Sequence, residues 1–139
     1  MPLCLRQSCE HMFVTSQGSP YMRLKRAIAQ GNPTVALATA FELPRVPLDD
    51  ALALCLLLLD REPTRYEAAA VRWHSRFCRE ARPSLADAQL ALAALHALPG
   101  SGADVAAQCL QSLSERAGHE ECAEVLAAWL ERRASLPGT

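Results

Sequence analysis

Six cysteines and four histidines are the side chains best suited to metal or thiol chemistry in these 139 residues. Cys4, Cys9 and His11 stand close together near the N-terminus, and His74/Cys78 and His119/Cys122 each lie about one helical turn apart. A zinc site needs four donors in paired short spacings, and no Cys-x-x-Cys pair is present. Four of the cysteines (Cys55, Cys78, Cys109, Cys122) fall at apolar positions of helical patterns. They read as reduced thiols used as small hydrophobes. Neither a metal nor a cofactor is expected.

Acid–base chemistry requires carboxylates in apolar surroundings. Here Asp49, Asp50, Asp87 and Asp104 all fall where helices begin, as do Glu120, Glu121 and Glu124. Capping and the helix dipole account for them. Phosphate-binding loops, nucleophile elbows and paired-histidine zinc motifs are missing. The expectation is therefore that the chain is not an enzyme.

The ordered polar feature is a row of arginines. Arg65, Arg72, Arg76 and Arg79 lie within about 60° of one another on a helix turning about 100° per residue. Beside them Tyr66, Ala70, Trp73, Phe77 and Ala81 form an apolar face at steps of three and four. That face reads as a packing stripe, with Trp73 offered as an apolar anchor for a partner. The guanidinium row suits carboxylates, which Arg binds through two parallel hydrogen bonds. It also suits nucleic-acid phosphates, together with Arg23, Lys25 and Arg26. A net charge of −1 and the lack of an aromatic stacking platform weigh against nucleic acid.

The elements that must position these residues are helices. Half of the residues are apolar, mostly Ala and Leu, and Val and Ile are scarce. Proline and glycine punctuate the pattern. Helices are expected over about 21–30, 33–43, 48–61, 64–81, 84–98, 103–117 and 120–134. Gly31-Asn32-Pro33 separates the first two, Thr64 and Glu67 are spaced as a capping box, and Ser84 and Asp87 share that spacing. His96, inside an apolar helix, reads as a hydrogen-bonded core residue. The 51–59 block, Ala-Leu-Ala-Leu-Cys-Leu-Leu-Leu-Leu, marks the third helix as the most buried.

A 37-residue offset aligns Leu48-Asp49-Asp50-Ala51 with Leu85-Ala86-Asp87-Ala88, Leu59 with His96, and Arg79 with Arg116. Helices three and four thus repeat as five and six. The 27–41 segment, Ala-rich helices around a Gly-Asn-Pro turn, resembles the helix–turn–helix unit of tetratricopeptide-like repeats. The period is nearer to that of HEAT-type units. The resemblance implies stacked helical hairpins, and a plain bundle of hairpins explains the same pattern.

The expectation is an all-α protein of about seven helices in antiparallel hairpins, either a short solenoid or an irregular bundle. Residues 20–134 form one domain, 1–19 an irregular extension and 135–139 a tail. The N-terminus lacks a basic region followed by an apolar stretch, so no signal peptide is expected. No apolar run approaches the roughly 20 residues needed to span a bilayer. A cytoplasmic location follows as an expectation, and thirteen Arg against one Lys is what a GC-rich bacterial genome writes. The functional expectation is a non-catalytic protein–protein interaction or adaptor module using Arg65, Arg72, Trp73, Arg76 and Arg79. A nucleic-acid-associated regulator on the same row is the alternative, and homo-oligomerisation is compatible with either.

Overall fold

The structure, a computed structural model, describes residues 19–136. The described residues are all-helical, with seven α-helices and no strand. These are α1 (Pro20–Ala29), α2 (Pro33–Glu42), α3 (Leu48–Arg61), α4 (Tyr66–Ala81), α5 (Leu85–Ala97), α6 (Ala103–Arg116) and α7 (Glu120–Ala134). A 3-10 turn, Pro63–Arg65, leads into α4. The chain divides into two compact units, one ending at Val46 and the other starting at Pro47. The extension expected over 1–19, with its Cys4/Cys9/His11 cluster, lies outside the described residues except for Ser19.

The first unit is the α1–α2 hairpin. Ser19 caps α1, its hydroxyl accepting the Met22 N–H at 3.0 Å. Gly31, at φ 71°, takes the left-handed conformation that closes α1. The Asn32 N–H then reaches the Ala27 carbonyl and the Gly31 N–H the Ile28 carbonyl, both at 3.0 Å. Asn32 serves twice, because its side chain also caps α2 by accepting the Val35 N–H at 3.1 Å. Pro33 follows at the first helical position, where a missing N–H costs nothing.

The second unit is a closed ring of five helices. Each of α3 to α7 packs on its neighbour in sequence, and α7 returns to α3. The ring surrounds a core of Leu52, Leu56, Trp73, Phe77, Leu95, Leu110, Leu113, Leu126 and Trp129. The expected third helix is the most buried, with seven buried residues on α3.

The 37-residue repeat appears in the structure as paired helix starts: α3 at Leu48 and α5 at Leu85, α4 at Tyr66 and α6 at Ala103. The two copies do not pack alike. Leu48, Leu52, Cys55 and Leu56 of α3 are buried in the core, with Leu59 packed against it. The same positions on α5 are Leu85, Gln89, Leu92, Ala93 and His96, and all five are exposed. Instead, α5 turns inward Ala91, Ala94 and Leu95.

Two expectations are corrected. His96 is an exposed residue of the outer face of α5, because Leu95 occupies the inward position beside it. The Thr64–Glu67 capping box does not form. Arg65 folds back on Glu62, with its N–H on the Glu62 carbonyl at 2.9 Å and its guanidinium 3.4 Å from the Glu62 carboxylate. That tightens 63–65 into a 3-10 turn, and α4 starts at Tyr66 with no side-chain cap. The Ser84 cap does form, accepting the Asp87 N–H at 3.1 Å.

Trp73 ties α4 to the start of α3. It is 2% exposed, its indole N–H donates to the Leu48 carbonyl at 3.0 Å, and its ring stacks on Phe77 with centroids 5.2 Å apart. Trp73→Phe removes the donor and leaves unfilled volume. It is expected to destabilise the chain by about 2 kcal/mol, read from the shift of the urea midpoint.

Burial also raises two thiols, Cys55 and Cys122, from the ordinary 9.0 to about 12. Desolvation is the main cause in both. For Cys122 the Asp49, Glu121 and Glu80 carboxylates add to it. The unfolded chain ionises these thiols near pH 9, whereas the folded chain holds the protons to about pH 12. Their contribution to stability is therefore complete below pH 9 and is lost as pH rises through that window. The urea midpoint should fall between neutral pH and about pH 10.5, and fall less steeply in a Cys55→Ala/Cys122→Ala variant.

Candidate functional site: the outer face of α4

Local sequence places the arginines. Once Tyr66, Ala70, Trp73 and Phe77 are drawn inward, the helical period puts the remaining positions of α4 on its flanks and back. The structure distributes the arginine row over three environments.

Arg72 and Arg79 project from the back of α4, are exposed, and make no ion pair with a described residue. Arg65 is exposed but engaged with Glu62. Arg76 is turned toward the core. Its Nε lies 2.9 Å from the Glu80 carboxylate one turn on, and the two side chains are only 21% and 24% exposed. The pair sits near Cys122 of α7, whose ionisation Arg76 favours and Glu80 opposes. Arg76 is thus a structural ion-pair residue and no part of the open row.

Trp73 is likewise withdrawn. Its ring is stacked on Phe77 and its N–H is used within the core, so it presents no surface to a partner. Of the five residues expected to meet a partner, Arg65, Arg72 and Arg79 are exposed, whereas Trp73 is buried and Arg76 is half-buried in an ion pair.

Sequence reasoning passed over one exposed arginine that follows the helix. Arg82 ends α4 at φ 50°, the only described residue other than glycine in the left-handed region. An L-residue there costs on the order of 1 kcal/mol relative to glycine. The adjoining Pro83, which disfavours helical backbone in the residue before it, was the available signal. From Arg65 to Arg82 the chain carries five arginines against two glutamates, although the whole chain carries −1. A local positive field of that kind attracts carboxylate-bearing surfaces.

On its other flank α4 faces α5. The His74 ring meets the Ala88 carbonyl at 2.7 Å through Nε2, and the Tyr66 hydroxyl donates to the Leu95 carbonyl at 2.7 Å. Burial pushes the Tyr66 hydroxyl well above its ordinary value. Between these two tethers the helices part around an apolar groove of about 720 Å³, walled by Ala70, Val71, Leu92, Ala93, Leu95 and Pro99. Glu67, Gln89 and His96 are the polar side chains along it besides Tyr66. Sequence reasoning did not find this groove. The signal was present in α5, whose apolar residues surround the whole helix.

Among the described residues, no three His, Cys, Asp or Glu side chains are grouped to hold a metal ion. Cys78 and His74 approach to 3.8 Å, beyond a strong hydrogen bond. No described helix is long and apolar enough to cross a membrane. No protein-family model matches the chain, and neither a curated protein nor a solved structure matches it.

The division of the row is testable. Arg76→Met removes the half-buried Arg76–Glu80 ion pair and should cost about 1–2 kcal/mol in chemical denaturation. Arg72→Met and Arg79→Met, at exposed positions, should each change stability by less than about 0.5 kcal/mol.

Proposed function

We propose that the chain is a non-catalytic protein-interaction module that engages an acidic surface of a partner protein through the outer face of α4. The observation that carries this reading is the exposure of Arg72 and Arg79, about two turns apart on one helix and without ion pairs among the described residues. Some charges of the second unit pair across helices. Arg116 lies 2.8 Å from Asp87, and Arg133 lies 4.0 Å from Asp104 while covering the Trp129 ring at 4.6 Å. Arg72 and Arg79 make no such pair among the described residues, and they stand on one face of one helix. Arg82 adds an exposed arginine just after Arg79, in a backbone conformation that glycine would hold at lower cost.

Planar guanidinium groups on a rigid helix lose less freedom on pairing than flexible ammonium groups, and they bind carboxylates in a defined orientation. A helix face of this kind supplies orientation and association rate rather than large buried area.

The test is affinity capture with the full chain from its native host, comparing the unaltered protein with Arg72→Glu/Arg79→Glu. The reading expects at least one captured protein to be lost on charge reversal, with the melting temperature unchanged. Retention of every captured protein would refute it. Capture of nucleic acid that falls away steeply with added salt, in place of protein, would move the row to phosphate binding.

A further inference from the structure

We infer that the outer face of α5 is a dimerisation surface, on which a second copy of this chain packs its own α5, antiparallel, into the α4–α5 groove about a two-fold axis at Gln89. The inference does not rest on the reading above, because Arg72 and Arg79 lie on the other flank of α4 and stay clear of the groove.

The first support is the face itself. Leu85 is 77% and Leu92 46% exposed, and Val71, on the α4 wall of the groove, is 56% exposed. Among the helices of the second unit, α5 alone exposes no Asp, Glu, Lys or Arg. At the same repeat positions α3 buries Leu48, Leu52, Cys55 and Leu56 in a core built of helices. An apolar face of this kind on an otherwise charged surface marks a binding site. A two-fold contact sets one patch against itself, so a charge near the axis meets its like. A charge-free face escapes that penalty.

The second support is charge at the two ends of this face, which selects the occupant and its direction. Arg82 stands just before α5. Glu67 stands beside the other end of α5, because the Tyr66 hydroxyl reaches the Leu95 carbonyl and Glu67 lines the groove with His96 and Pro99. Both Arg82 and Glu67 are exposed, and neither forms an ion pair with a described residue. Antiparallel pairing of two copies of α5 brings Arg82 of each copy to Glu67 of the other. Parallel pairing would set arginine against arginine and glutamate against glutamate.

The third support is register. The Tyr66–Leu95 and His74–Ala88 hydrogen bonds hold α4 antiparallel to α5, so the α5 of the second copy runs parallel to α4. Arg82 precedes Leu85 by three residues, as Glu67 precedes Ala70. One placement therefore puts Arg82 at Glu67 and seats the large Leu85 over the small residues Ala70 and Ala93 of the other copy. At the axis the two Gln89 carboxamides meet, and an amide both donates and accepts, so it can pair with its own copy. The α5 of a second copy thus carries the leucines, the neutral centre and the terminal cation that the groove calls for.

The experiment is sedimentation equilibrium of the full chain from about 1 to about 200 µM. The mass should rise with concentration from the 15.1 kDa of one chain toward twice that value. One pair of helix hairpins makes a small specific interface, so a dissociation constant on the order of 10 µM is expected. Leu85→Glu and Leu92→Glu, both at exposed positions, should each leave a monomer, and circular dichroism melts show that each is folded. Arg82→Glu and Glu67→Arg should each weaken the dimer about tenfold or more, and both exchanges in one chain should restore it. Arg72→Glu/Arg79→Glu should leave the dimer intact, whatever it does to capture of a host protein. The proposal is overturned if the mass stays at one chain throughout, or if the dimer survives Leu85→Glu and Leu92→Glu. It is equally overturned if the single charge reversals have no effect, or if the double exchange restores nothing. Capture of a host protein that Leu92→Glu abolishes, from a chain that is monomeric throughout, would give the face to a foreign partner and end the proposal.

Discussion

The return of α7 onto α3 governs the second unit. Trp129 is 1% exposed, and its indole N–H donates to the Asp60 carboxylate at 3.0 Å, joining residues 69 positions apart in sequence. Burying an indole of this size contributes about 4–6 kcal/mol of transfer free energy before ordering entropy is counted. The hydrogen bond to a carboxylate adds about 1.5–3 kcal/mol. Arg133 closes over the outer face of the same ring. Through this contact α3 and α7 close the ring, and α3 to α7 enclose one core. Closure also fixes which helix face is inside at every step round the ring, and so which apolar face is left outside.

The helices were legible because their ends are written in residues with stereochemical consequences. Gly31 and Gly118 hold positive φ, while Pro20 and Pro33 open α1 and α2. The starts of α3, α6 and α7 fall where the apolar period and the acidic first turns place them. The 37-residue offset likewise reappears in the helix starts. Thr64 shows the limit of such marks. A capping box is a local preference of about 1 kcal/mol, and the fold-back of Arg65 onto Glu62 displaces it.

The faces were less legible than the helices. On α4 the apolar residues occupy one side, so Tyr66, Ala70, Trp73 and Phe77 could be assigned inward, and they are buried. The same assignment should have removed Trp73 from any contact surface, since a residue in the packing stripe cannot also meet a partner. Arg76 carried a readable sign as well: Glu80 stands four residues on, the spacing of a helical ion pair. No such reading was available for α5. With Leu and Ala on every side, its sequence gives no preferred azimuth, and the inward face is chosen by the small residues Ala91 and Ala94 that let α5 approach its neighbours. His96 was misplaced for that reason.

That indifference of α5 bears on how the groove arose within the fold. In a repeat of two hairpins both first helices carry a leucine-rich face at the same register, suited to a covered position. An open stack would cover both with further helices. A closed ring of five covers the face of α3 and turns the matching face of α5 to the outside. Gln89 and His96, standing where α3 has Leu52 and Leu59, make that outer face more polar, yet Leu85 and Leu92 keep it apolar. Two of the five positions are thus polar, and the leucines that remain leave part of the face apolar and exposed. A face meant for water alone would replace the leucines as well, as the glutamates on the outside of α7 illustrate.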